Sequence, residues 1–318
     1  MSFVLRALRK VYGKTIGHPP APVFTTDHLA LRGQAAADAM YALLKKEAPC
    51  MIGRFGKVEL DALVYHRQSQ SKLSLYRNYI TGVTKAYDFP ESLQHRLENN
   101  AGFFPATEAA LDQFAGLMHH HIQHLDVLGS WLPKEKQFAD ALANTTIVHL
   151  EDLNAYIHER PWTRALEGKK VLVIHPFVDS IQTQYKKHSS LFNNPEVLPE
   201  FELTTYKPIQ SFAGNHERCG FETWFDALES MQRDIAAIDF DIALIGCGAY
   251  GFPLAGFVKE LGKKGVHLGG ATQILFGIIG KRWEEEYDLS AHVNTHWKRP
   301  YDHEKPPNFT KVEKGCYW

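Results

Sequence analysis

Between Asp239 and Gly251 the chain reads Asp-Phe-Asp-Ile-Ala-Leu-Ile-Gly-Cys-Gly-Ala-Tyr-Gly, an apolar stretch of strand length that ends in spaced glycines and enters a helical pattern from Pro253 to Leu261. Few folds accept that order. A buried strand, a glycine turn and a helix let the backbone approach an anion, because the helix then offers unpaired N–H groups and the positive end of its dipole. A second unit follows at once, with Gly265-Val266-His267-Leu268-Gly269-Gly270 leading into a helical stretch from Ala271 to Ile279. Two such junctions in succession predict a parallel sheet whose strand ends share one edge, where open α/β folds hold their ligands. Gly246, Gly248, Ala249, Tyr250 and Gly251 in the first unit, with Gly269, Gly270 and Gln273 in the second, are therefore candidate ligand-binding positions. Either set of glycines taken alone would also serve simply to make a tight turn.

The alternation extends upstream. Lys169 to Phe177 reads as a β-branched strand, Ser180 to Lys187 as a helix and Phe201 to Tyr206 as a further strand, followed by an amphipathic helix through Phe221, Trp224, Phe225, Leu228, Met231 and Ile235. This order predicts an α/β, Rossmann-like fold with a mostly parallel sheet and helices on both faces. His175, Lys207, Gly246 and Gly269 fall at strand ends. His175, with Ser180 and Gln184 nearby, is placed to touch a sugar or ribose, although a histidine there also suits a satisfied core position. Gln210, Asn215 and Gln273 carry amides suited to reading hydroxyls or to satisfying loop backbone.

In the first half, Gly17 to Pro22 is a proline-rich linker, and Thr26 or Asp27 is expected to cap a helix through Ala36, Met40 and Leu44. Pro49 to Ile52 reads as the first strand and delivers the chain to Gly53-Arg54-Phe55-Gly56-Lys57-Val58-Glu59, with a helix from Leu60 onward. The expected organisation is an amphipathic helix and linker over residues 1–22, then one domain over 23–318 with a helical insertion at about 73–165. Within that insertion Thr107 caps a helix that carries His119, His120, His121 and His124. Only His120 and His124 share a face at four-residue spacing, so a solvated, histidine-rich surface is expected rather than a metal site.

Net charge is −1, which excludes the basic footprint of a general nucleic-acid binder. The four cysteines lack metal-ligand spacing and no cleavable signal pattern precedes them, so the expectation is a reduced, cytoplasmic protein. Phe3, Val4, Ala7, Leu8, Val11 and Tyr12 recur at helical spacing among Arg6, Arg9, Lys10 and Lys14. That pattern fits either contact with the inner face of the cell membrane or packing on the chain's own domain or on a second copy.

Arg54-Phe55-Gly56-Lys57-Val58-Glu59, taken with Gly246 to Ala255, Leu268 to Trp283 and the segment Gly315-Cys316-Tyr317-Trp318, resembles the GT-D type of bacterial glycosyltransferase. The resemblance runs from about Pro49 to the end of the sequence. It implies a single Rossmann-like domain that transfers a sugar from a nucleotide donor, a UDP-sugar first, to a surface polysaccharide, another glycan or a lipid-linked acceptor. The family pattern is Arg-Phe-Gly-Asp-Gly-Glu; here Lys57 replaces the first acid and Val58 a glycine. A divalent ion prefers anionic oxygens, so this exchange removes a ligand charge and adds repulsion, leaving a Mn2+ or Mg2+ requirement open. On this reading Glu59 is the general base, or else a metal or sugar-hydroxyl ligand. Arg54 holds that carboxylate or a phosphate, and Gly53, Phe55, Gly56 and Lys57 complete the junction. Lys281 and Arg282 close over the diphosphate. Glu59 at a helix start also suits a simple cap.

Two other functions fit the residues. Cys247 between two glycines is also how hydrolases and amidotransferases expose a thiol. A non-catalytic nucleotide- or glycan-binding subunit would explain the missing acid at Lys57. An NAD enzyme fits less well, since no acid follows about 20 residues after Gly246 to hold a ribose.

Overall fold

A computed structural model describes residues 2–318. Its strands are β1 (Cys50–Gly53), β2 (Val127–Ser130), β3 (Thr146–His149), β4 (Lys170–Ile174), β5 (Glu202–Tyr206), β6 (Ile242–Ile245) and β7 (Lys264–His267). They form one sheet in the order β3-β2-β1-β7-β6-β4-β5, and every pair is parallel. The α/β architecture expected from the sequence is thus present.

The helices up to the middle of the chain are α1 (Ser2–Thr15), α2 (Gln34–Lys45), α3 (Lys57–Ser69), α4 (Lys72–Thr81), α5 (Glu91–Arg96) and α6 (Glu108–Gln123). Beyond them lie α7 (Val178–Tyr185), α8 (His188–Leu191), α9 (Trp224–Ala236), α10 (Gly251–Glu260), α11 (Ala271–Leu275) and α12 (Lys281–Glu285). Strand side chains alternate between two cores. Leu172 and Ile174 of β4 join the aliphatic faces of α3, α6, α9 and α10, whereas Val171 and Val173 join those of α2, α7, α8 and α11. Each such aliphatic side chain contributes roughly 1.5–3 kcal/mol on burial, so the period-2 pattern fixes which face every strand residue takes.

Three expectations are corrected. Residues 73–165 are not a purely helical insertion, because β2 and β3 lie within them and extend the sheet beyond β1. The helix expected from Thr26 or Asp27 begins instead at Gln34, after Gly33. The helix expected to run to Ile279 stops at Leu275.

The connections decide where a ligand fits. The chain leaves β1 and β6 for helices on the first core, and leaves β4 and β7 for helices on the second. Since β6 lies between β7 and β4, neighbouring loops diverge and open a crevice at the carboxyl ends of these strands.

Helix α1 packs on α4 through buried Leu5 and through Arg9, whose guanidinium donates to the Tyr79 and Thr84 carbonyls and lies 4.7 Å from the Tyr79 ring centre. Its other face exposes Phe3, Val4, Leu8 and Val11. Among the described residues no helix is long and apolar enough to cross a membrane.

Candidate functional site

A cavity of about 340 Å³ occupies the crevice, walled by the carboxyl ends of β1, β4, β6 and β7. Its floor depends on Gly246. A β-carbon there would lie 2.5 Å from the Gly269 carbonyl oxygen and 2.7 Å from Thr272 Oγ1, so the strand ends converge only without a side chain. The chain then turns through Gly248–Tyr250 into α10, and the first N–H groups of a helix have no intrahelical acceptor. Gly246, Cys247, Gly248 and Tyr250 line the cavity with Gly269 and Gly270. Ala249 and Gly251 stand behind that wall. The space beside Gly251 is filled by the His267 imidazole, so an anion would meet the amides around Gly248 instead.

Two buried histidines face the cavity with opposite proton placement. His175 Nδ1 accepts the Phe177 N–H at 3.0 Å, which puts the ring proton on Nε2. His267 Nδ1 lies 3.3 Å from the Ile245 carbonyl and donates to it, leaving Nε2 as an acceptor. Burial pushes both pKa values down to about 3, with the Arg54 charge adding to the effect at His267, so both rings are neutral at pH 7.

Arg54 supplies the positive charge. Its Nε and Nη2 donate to the Phe55 carbonyl at 3.2 and 2.9 Å, and its guanidinium lies 4.8 Å from the Trp131 ring centre. Trp131 Nε1 donates to the same carbonyl at 3.0 Å, so one oxygen fixes both side chains. Among the described residues no carboxylate lies within ion-pair distance of Arg54, Glu59 included. Burial lowers its pKa from the ordinary arginine value, yet a guanidinium keeps its charge at any working pH. Glu59 is half-buried in the cavity wall, with its carboxylate folded back over Gly56. It therefore lies over the first turn of α3, where a carboxylate complements the helix dipole, and also faces the cavity. Burial raises its pKa above the usual carboxylate range.

Gly56, Lys57, Gln210, Gln273 and Arg282 also line the cavity. Arg282 Nη1 donates to the Tyr317 hydroxyl at 3.0 Å, and Gln273 Nε2 donates to the Ile278 and Tyr317 carbonyls at 3.1 and 3.2 Å. Gln210 Oε1 and Trp318 Nε1 are buried without a protein partner among the described residues. Besides Ala249 and Gly251, four more expected positions lie outside the lining. Gly53 ends β1 inside the core, and Phe55 stacks on Phe252 at 5.1 Å. Ser180 donates to Glu304 and accepts from the Tyr301 N–H at 3.1 Å, anchoring that segment, while Lys281 pairs with Glu285 at 3.6 Å.

Sequence reasoning assigned no site role to Trp131, Asn100, Phe177, Phe212, Tyr317 or Trp318, all of which line the cavity. Asn100 arrives on a π-helical turn, Leu97–Ala101, a type of irregularity often found at functional sites. No local pattern announced it.

Burial raises the Cys247 thiol with nothing opposing the shift, the opposite of what activates a thiolate. The donor set also fits a divalent ion poorly. Glu59 and Glu286 are the acids of the cavity wall, against Arg54, Lys57 and Arg282, and among the described residues the clusters of three or more metal-ligating side chains lie elsewhere. Comparison of the chain with family models, with curated proteins and with solved structures returned no match.

Proposed function

We propose that the protein is a nucleotide-sugar-dependent glycosyltransferase that builds a bacterial surface polysaccharide or related glycan. One observation carries this reading: the glycine turn at Gly246–Gly248, the Arg54 cation, without an ion pair among the described residues, and the Glu59 carboxylate open into one hollow at a divergence of parallel strands. Its volume of about 340 Å³ falls within the range of small-molecule sites.

In the proposed reaction the diphosphate of a UDP-sugar lies against the amides around Gly248, with Arg54 and Arg282 balancing its charge. The acceptor hydroxyl oxygen bonds to the anomeric carbon as the bond from that carbon to the phosphate oxygen breaks. The hydroxyl proton passes to Glu59, whose raised pKa suits a general base, and the electron pair leaves on the diphosphate. His175 Nε2–H serves as a donor to the sugar or phosphate. Arg54 and Arg282 carry the charge that the family gives to Mn2+ or Mg2+, so transfer proceeds without that ion. Helix α1, with its exposed Phe3, Val4, Leu8 and Val11 beside Lys10 and Lys14, rests on an anionic membrane surface at the cytoplasmic face, where a lipid-linked acceptor would be met.

The test is calorimetric binding of uridine, guanosine, cytidine and thymidine diphosphates with and without Mn2+, followed by UDP release from UDP-sugars by the wild type and by Glu59→Gln. The expected result is UDP binding independent of Mn2+ in both, with turnover lower by about 10²–10⁴-fold in the variant. Binding without turnover in the wild type would make the chain a non-catalytic nucleotide-binding subunit, the reading that Lys57 favours. No nucleotide binding would overturn both.

A further inference from the structure

The histidine-rich end of α6 exposes His119, His120 and His124, as its sequence suggests, but turns His121 inward. His121 is 2% exposed, and neither ring nitrogen has a hydrogen-bond partner among the described residues. Unpaired buried polar groups are uncommon and call for a cause. The ring packs against Gly256 of α10, where a β-carbon would lie 2.1 Å from Nδ1, and Nδ1 lies 3.6 Å from Glu260 Oε1. His120 Nε2 reaches the same oxygen at 2.7 Å. One ligand atom from each of these side chains lies within 4.8 Å of the others.

We propose that His120, His121 and Glu260 bind Zn2+, joining the end of α6 to the end of α10. Two imidazoles and a carboxylate are a donor set that zinc accepts, with a solvent position left for a fourth ligand. The helices support it. His120 and His121 fall in the last turn of α6, and Glu260 ends α10, so the negative ends of two dipoles meet where the cation would sit. Lys259 does not compete for Glu260, because its ammonium holds the His124 carbonyl at 2.6 Å and Asp126 at 2.7 Å.

The second acidic cluster, Asp179, His303 and Glu304, offers no such vacancy. Glu304 accepts from the Asp179 and Ser180 N–H groups at 2.9 and 3.1 Å and from the Ser180 hydroxyl, while His303 is bonded to Asp179 at 2.7 Å. Since α10 runs away from the cavity for ten residues, roughly 15 Å at 1.5 Å per residue, the proposed zinc is separate from sugar transfer.

The experiment is a Zn2+ titration of the full, chelator-treated chain by calorimetry, with melting measured in EDTA and in excess Zn2+. The expected result is one equivalent bound and a raised melting temperature. His120→Gln and Glu260→Gln, both at partly exposed positions, should each weaken binding by about tenfold or more while melting like the wild type in EDTA. His303→Ala should bind as the wild type does. Absence of saturable binding, or binding unchanged by His120→Gln and Glu260→Gln, would overturn the proposal.

Discussion

The imidazole of His267 occupies the place a side chain at Gly251 would take, with Cε1 2.2 Å and Nδ1 2.4 Å from the position of a β-carbon. The ring is buried between β7 and the first turn of α10, so it has little room to retreat. Gly251→Ala gains about 1 kcal/mol of helix propensity and loses it again to overpacking, which costs roughly 1–3 kcal/mol and more where backbone must shift. Urea denaturation should show a net loss of stability. A more stable variant would mean the ring moves freely.

The two cavity histidines should be distinguishable directly. Nitrogen-15 spectra of the imidazoles should place the His175 proton on Nε2 and the His267 proton on Nδ1, with neither ring charged at pH 5. Matching tautomers, or a cationic signal from either ring at that pH, would contradict the geometry.

On the proposed function, Arg54→Ala should cost ligand affinity more than stability. Its contact with the Phe55 carbonyl is duplicated by Trp131, so Arg54→Ala should leave that oxygen satisfied and change the melting temperature little. Charge-assisted hydrogen bonds contribute about 1.5–3 kcal/mol, so UDP affinity measured by calorimetry should fall roughly 10- to 100-fold. Unchanged affinity would remove Arg54 from the phosphate site.

Glu135 sets a pH dependence on the loop that carries Trp131. It is 2% exposed, accepts the Trp131 and Leu132 N–H groups at 3.4 and 3.3 Å and the Ser130 hydroxyl, and burial pushes its pKa up to about 7. A carboxyl that keeps its proton longer in the folded chain favours folding below the ordinary value of 4.5, and this contribution fades as pH rises through about 7. Relative to Glu135→Gln, the wild type should therefore lose stability, on the order of 3 kcal/mol, as pH goes from 4 to 8. Parallel pH–stability curves for the two proteins would show that the carboxyl titrates normally.

The proposed membrane contact can be tested by vesicle sedimentation. Phe3 is 82% exposed on α1 and Leu73 is 80% exposed on α4, the helix that α1 packs against, with Lys10, Lys14 and Lys72 also exposed. Binding to vesicles with anionic lipid should weaken about tenfold in Phe3→Ser, and should fall steeply with salt. Equal binding to neutral vesicles, or none at all, would assign this face to another partner.

What the sequence made legible follows physical signal strength. Val171 to Ile174 in β4 and Ile242 to Ile245 in β6 are apolar runs buried on both faces, and the glycine junctions after β6 and β7 are local events, so both were readable. β2 and β3 were not. Each is four residues long, β2 contains Gly129, and β3 is partly exposed at the sheet edge, so neither rises above the helical pattern around it. The same division holds in the cavity. Arg54, Glu59 and Gly246 sit within a few residues of strand ends the sequence revealed, whereas Trp131 follows the unread strand β2, and Asn100 and Trp318 arrive from distant segments and meet the others only through tertiary packing. Gly251 showed the opposite error, since its glycine serves a histidine from the next strand instead of a ligand.

The pairing of β1 with both β2 and β7 has a consequence for biosynthesis. Cys50, Met51 and Ile52 meet Lys264, Gly265 and Val266, so a strand made early acquires one of its flanking partners only after more than two hundred further residues have been translated. Until then its hydrogen-bonding edge stays open on the ribosome, and a nascent chain stalled before residue 264 should be a preferred client of chaperones that shield unpaired strands.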